Sequence, residues 1–422
     1  DRISHEMPGR LLVLSNGHGE DLIALRVLQA LHRRCPALEI AVLPLVGEGS
    51  AYAAAEAEGL LQRVGPRRAL PSGGFSNQSL RGLLSDLLAG VLGLSWRQWC
   101  LVRQWGRRGD PVLAVGDLLP LLYAWSCGAP YGFIGTPKSD YTWASGPGRA
   151  PLADRYHRCK GSEWDPWEWA LMRRRRCRLV AMRDRLTARQ LRRHGVAALA
   201  PGNPMMDGLT AEPLPPALLQ RRCLLLLGGS RMPEALGNLR RLLEALALAP
   251  SRQPLLLLAP CGSQPSPQQW EPLLRELNYQ PVDVPQGSGA RAAWARGEVL
   301  LLLGPGRFAA WAGNAELALA AAGTATEQLV GLGIPALSLP GPGPQFKRGF
   351  ARRQSRLLGG AVAVCASPQQ LAQRLTLLLA EPQLRQELGA IGRRRMGSAG
   401  GSEALAELVE RQLLGQAGHE AG

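Results

Sequence analysis

The chain has 422 residues, 46% of them hydrophobic, which is enough to bury a sizeable core and fits two or three domains better than one. Lys and Arg outnumber Asp and Glu by 49 to 33, nearly all as Arg, a balance that suits phosphates or anionic surfaces and excludes a disordered acidic chain. No uncharged apolar run reaches the roughly 18 residues of a spanning helix, the first residues read as a polar leader with no secretory pattern, and eight cysteines are scattered without a C-x-x-C pair, so a cytoplasmic protein with reduced packing cysteines is expected.

In chain order, Leu11–Ser15 reads as a buried strand, 21–32 as a helix, Ile40–Leu43 as a second strand, 79–108 as a long helix and Pro111–Val115 as another strand. A second series of strands starts at Cys223–Leu227 and continues through Leu255–Leu258, Val299–Leu303, Leu317–Leu319 and Ala336–Leu339, with helical patterns between. Strands alternating with helices predict parallel sheets, so the chain reads as α/β with two similar Rossmann-like lobes. The proline-dense stretch Glu212–Pro216 breaks both periodicities and places a hinge near 205–220. The expected divisions are 1–205, 206–385 and a helical tail over 386–422.

Three Gly-rich turns follow apolar strands and precede helices, where backbone N–H groups and the helix dipole attract phosphate. In the first, Ser15–Asp21, glycines flank a histidine: His18 is either a packing residue or a base exposed at a strand's carboxyl end, with Asn16, Gly17 and Gly19 around it. Asp117 ends another strand of that lobe and is either a cleft carboxylate or an ordinary N-cap. In the second, Gly228 and Gly229 let a pyrophosphate approach the backbone, Ser230 and Arg231 add donors, and Glu234 opens the next helix. In the third, Gly323, Thr324, Ala325 and Thr326 lead to Glu327, which either holds two ribose hydroxyls or completes a Thr324–Glu327 capping box. The rigid Pro340–Gln345 turn lies close by in sequence, which adds Gln345 to the candidates.

Two segments combine Trp and Arg. The 79–108 helix has one apolar face followed by Trp96, Trp99 and Trp105 among arginines, and Trp164, Trp167 and Trp169 precede Arg173–Arg176. This is the composition of a peripheral surface on an anionic membrane, or of a crossover helix with a solvated basic end.

At these turns the chain resembles the lipid-A-disaccharide synthase family, and more closely its cyanobacterial "related" group. The resemblance rests on Gly116-Asp117, on Gly202-Asn-Pro-Met-Met-Asp207, on Leu227-Gly-Gly-Ser-Arg-Met-Pro-Glu234 and on Ala322-Gly-Thr-Ala-Thr-Glu327. It departs from that family at Asn16-Gly-His-Gly-Glu-Asp21, where a His between glycines is more like the peptidoglycan-precursor transferases, and at Asn203, which replaces a His. The resemblance implies a glycosyltransferase-B fold with a ligand cleft between facing lobes. It further implies a UDP-sugar donor on the second lobe and a lipid acceptor on the first, where Asn16, Gly17, Gly19 and Asn203 lie. Transfer would be metal-independent and inverting, need no cofactor, and take place on the inner face of a membrane. His18 would act as base with Asp117 as its orienter, or Asp117 as base. A UDP-sugar epimerase or hydrolase, or an inactive relative, shares the same scaffold. A nucleic-acid partner is not expected, since no binding module is recognisable.

Overall fold

The computed structural model describes residues 9–66, 90–144, 151–250, 253–341 and 348–415. The first stretch contains β1 (Arg10–Ser15), α1 (His18–Arg34), β2 (Glu39–Pro44), α2 (Ala53–Ala57) and β3 (Gln62–Arg63). It continues with α3 (Val91–Gly106), β4 (Val112–Gly116), α4 (Leu118–Ser126) and β5 (Tyr131–Gly135). Then come α5 (Pro151–Lys160), α6 (Pro166–Met172), β6 (Cys177–Ala181), α7 (Arg185–Arg193) and β7 (Ala198–Leu199). The second series is β8 (Arg222–Leu227), α8 (Glu234–Ala247), β9 (Leu255–Cys261), α9 (Pro267–Glu276), β10 (Gln280–Val282), β11 (Ala292–Arg296), β12 (Val299–Pro305), β13 (Leu317–Ala320), α10 (Thr324–Gly331) and β14 (Ala336–Ser338). The chain ends on α11 (Arg348–Leu358), β15 (Val362–Val364), α12 (Pro368–Ala380), α13 (Pro382–Met396) and α14 (Gly401–Leu408), which runs into a π-helical turn at Val409–Leu414.

These elements divide into two compact units, Asp1–Asp140 with Lys160–Asp207 and Ala399–Gly422, and Tyr141–Cys159 with Gly208–Ser398. The first is built on a sheet of order β3-β2-β1-β4-β5-β6-β7, every described pair being parallel. The second sheet has the order β10-β11-β12-β9-β8-β13-β14-β15, with β10 and β11 making its antiparallel end. The central strands carry unbroken apolar runs because helices cover both faces of a parallel sheet: Leu11–Leu14 and Leu224–Leu227 are each at most 4% exposed. Together they make two Rossmann-like α/β units of the glycosyltransferase-B fold.

Two excursions complicate the chain order. Residues 141–159 leave the first unit and join the second, where buried Asp154 pairs with Arg356 of α11 and the Arg395 guanidinium lies 4.7 Å over the Tyr141 ring. The expected tail is itself divided: α13 packs on α10 of the second unit, while α14 returns to the first. Glycines allow the α13 approach, since a Cβ on Gly392 would lie 2.4 Å from the Val330 carbonyl oxygen. The return is anchored by Asp207, whose carboxylate accepts the Gly400 and Ser402 N–H groups at 2.5 and 2.9 Å at the start of α14.

The Trp-rich surface expected from sequence is corrected in part. Trp105, Trp164 and Trp169 are 9%, 0% and 8% exposed, so they are core residues. Trp164 meets Phe133 edge-on at 5.4 Å, and the Trp169 ring stacks on His194 at 3.7 Å. Trp96 and Trp167 remain exposed. Leu80 to Leu88, the apolar part of the expected helix, fall outside the described residues. Among the described residues no helix is long and apolar enough to cross a membrane.

Candidate functional site

In an open parallel sheet, ligands gather where successive strands leave in opposite directions, because the loops beyond the two strand ends diverge there and leave a crevice. Each unit has one such point. In the first unit it lies between β1 and β4, and in the second between β8 and β13. All three Gly-rich turns singled out from sequence sit at these two points.

In the first unit, Ser15 is in register with Val115, so the turns that follow begin side by side. Asn16 bridges them, its Nδ2 donating to Asp117 Oδ1 at 2.8 Å. Gly116 has φ +138°, and a Cβ there would lie 2.1 Å from Asn16 Oδ1, so the bridge needs glycine at this position. Asp117 Oδ1 also accepts from Leu119 N at 3.3 Å, which makes Asp117 the N-cap of α4. His18 is the exposed first residue of α1, directly after Gly17 with φ +148°. Gly19 beside it is exposed and open. Asp117 is thus brought to Asn16, and among the described residues no hydrogen bond joins it to His18.

Two acids that the sequence reading passed over lie in the same turn. Thr136, just past β5, donates to Glu20 Oε1 at 3.4 Å. Burial raises the Glu20 carboxyl, and the negative charge of Asp117 raises it further. Asp21, 3% exposed, accepts a 2.5 Å bond from Ser15 Oγ, which also lies 2.7 Å from the Tyr52 hydroxyl. Burial pushes Asp21 up to about 6. Its folded value therefore stands above the ordinary 3.8. Between those two values the unfolded chain has released its proton while the folded chain keeps it, so Asp21 costs stability progressively as pH rises through this window, and the cost is constant above it. Asp21→Asn should remove this dependence: the melting temperature of the variant relative to wild type should rise from pH 4 to 6 and then level. A difference that is flat across this range would contradict the assignment.

In the second unit, Leu227 is in register with Ala320, and Ala321 N donates to the Leu227 carbonyl at 2.7 Å. Gly228 is buried against α8, where a Cβ would lie 2.3 Å from Leu239 Cγ, and Asn238 Nδ2 donates to its carbonyl at 3.2 Å. Gly229 has φ +89° and is exposed with Ser230 and Arg231, while Glu234 opens α8 half-buried. Beyond β13, the capping box expected as one reading of Thr324 and Glu327 does not form: Gly323 is the N-cap of α10 and Thr324 its exposed first residue. Ala325 and Glu327 are half-buried in that first turn. Thr326 is 0% exposed and its hydroxyl donates to the Ala322 carbonyl at 2.8 Å, so its side chain braces the turn from beneath. The structure thus brings Gly228–Arg231 and Gly323–Glu327 together at one switch point. Gln345 falls outside the described residues.

Asn203, expected on the acceptor side, is 2% exposed and accepts from Met205 N at 3.1 Å. It lies beneath Gly401 of α14, where a Cβ would be 2.7 Å from Asn203 N. Packing of α14 accounts for its burial.

No family model and no curated protein matches the chain. Solved structures do. MurG of Acinetobacter baumannii is 16% identical with a TM-score of 0.54, covering 96% of this chain and 100% of that one. The S. aureus MnaA–UDP co-structure is 14% identical with a TM-score of 0.54, covering 96% of each chain. A UDP-GlcNAc 2-epimerase from Neisseria meningitidis bound to UDP-GlcNAc is 14% identical with a TM-score of 0.52, covering 96% and 99%. At these identities the likeness is one of fold.

Proposed function

We propose that the protein is a glycosyltransferase that moves a sugar from a UDP-sugar to a lipid acceptor. The observation that carries this reading is the pairing of two Gly-rich turns at the β8/β13 switch point, with helix N-termini and Arg231 around them. Such a site stabilises a departing diphosphate through backbone N–H groups, helix dipoles and a guanidinium, without requiring a metal. Glu327, in the first turn of α10, would pair with the ribose hydroxyls. The structures of this fold bound to UDP and to UDP-GlcNAc support the choice of nucleotide.

In the reaction, the acceptor oxygen forms a bond to the sugar's anomeric carbon while the bond from that carbon to the diphosphate oxygen breaks. A single displacement inverts the anomeric centre, the acceptor's proton goes to a base, and UDP leaves. His18 would take that proton, and Asp117, Glu20 and Asn16 set the polarity of the surrounding turn.

The lipid end of the reading rests on the α3–α4 side of the first unit. A groove of about 490 Å³ is lined there by Trp99, Arg103, Leu122, Tyr123, Trp125 and Arg176. Trp96, Leu119 and Leu122 are exposed on these two helices. Apolar rings with guanidinium groups among them match an anionic lipid surface. Co-sedimentation with liposomes should rise with anionic lipid content and fall with salt, because screening shortens the reach of the arginines; absence of binding at low salt would remove the membrane from this reading.

Incubating the protein with labelled UDP-sugars and a bacterial lipid extract tests the function directly. Label carried into the lipid phase supports transfer. Free or epimerised sugar with an unlabelled lipid phase would instead support a hydrolase or a 2-epimerase, an activity that several proteins of this fold carry in their names.

A further inference from the structure

The turn after β13, braced by Thr326 from within α10, is also held from beneath by a side chain of another helix. Gln354 of α11 is 3% exposed, and its Nε2 donates to the carbonyls of both Ala322 and Gly323 at 3.1 Å. Each carbonyl accepts a second bond, from Thr326 Oγ1 at 2.8 Å and from Glu327 N at 3.2 Å respectively. Across a planar trans peptide the carbonyl of one residue and the N–H of the next point in opposite directions. Drawing both carbonyls toward Gln354 therefore turns the N–H groups of Gly323 and Thr324 to the other side of the turn, at the positive end of α10. The amide cannot be reversed in this role, because its oxygen would then face two carbonyl oxygens.

In the same arrangement Gln354 Oε1 is buried and, among the described residues, has no hydrogen-bond partner. A buried amide oxygen in that state is costly, and the two bonds donated by Nε2 are what hold the side chain in this orientation.

We infer that Gln354 is a positioning residue for the diphosphate: it presents the Gly323 and Thr324 N–H groups to the ligand without being a direct phosphate ligand. The inference rests on the reading of the β8/β13 turns as a nucleotide-sugar site and names the residue that shapes them. Gln354→Met keeps the length and the apolar contacts of the side chain but removes both donors. UDP affinity of this variant should fall about tenfold or more, while uridine, which lacks the diphosphate, should bind as it does to wild type in an NMR titration. An unchanged UDP affinity, or equal losses for UDP and uridine, would overturn the role. Should Gln354→Met fail to fold, wild type alone decides: UDP but not uridine should slow hydrogen exchange in the 321–331 peptide, and unchanged exchange with bound UDP would overturn it as well. Wild type that binds no UDP at all would defeat the underlying reading first, a failure recognisable without any variant.

Discussion

His18→Ala is expected to lower turnover by roughly 10²–10⁴, the usual contribution of a general base, and to leave UDP affinity as it is. The side chain stands exposed on the first residue of α1, with glycines on both sides, so its removal disturbs no packing. The companion Asp117→Asn separates two chemistries. Asn retains an oxygen able to accept from Asn16 and from Leu119 N, so the bridge between the turns and the cap of α4 survive while the negative charge is lost. If Asp117 only shapes the turn, the loss should be smaller than that of His18→Ala. Near-normal turnover in His18→Ala together with a dead Asp117→Asn would make the carboxylate the base, and a dead Glu20→Gln beside an active His18→Ala would give that role to the acid that burial has raised.

Glu327→Ala should weaken UDP binding by about 1–3 kcal/mol, the scale of lost hydrogen bonds to a charged acceptor. Gly323, not Thr324, is the N-cap of α10, so Glu327 stands in the first turn of this helix, and a ribose role predicts that the loss appears in ligand affinity. Calorimetry giving the same UDP affinity for the variant and wild type would remove the ribose from Glu327.

Much of this architecture is legible from residues alone. The apolar runs at 11–14, 223–227, 255–258 and 299–303 announce parallel central strands, because only strands covered on both faces can be apolar throughout. The Gly-rich turns are legible for a steric reason: Gly116 and Gly228 leave no room for a Cβ, and Gly229 requires a positive φ. What lies beyond reach depends on contacts distant in sequence. The 141–159 excursion is tied by Asp154 to Arg356, 202 residues away, and nothing local in either helix announces the partner. Asn203 looks like a site residue until α14 packs over it. Trp164 and Trp169 share with Trp96 and Trp167 the same Arg-rich surroundings in sequence, and only the packing decides which become core. Glu20 lies in a turn singled out from sequence, but only its burial and the contact with Thr136 mark it, and Gln354 stands among arginines with nothing local to single it out.

The central claim is that the turns beyond β8 and β13 hold the diphosphate of a uridine nucleotide. A calorimetric titration of the wild-type protein with UDP, without added metal, tests it most directly. Saturable binding at one site per chain, competed by a UDP-sugar, is the result expected; no heat with UDP alongside saturable binding of a purine nucleotide would contradict it.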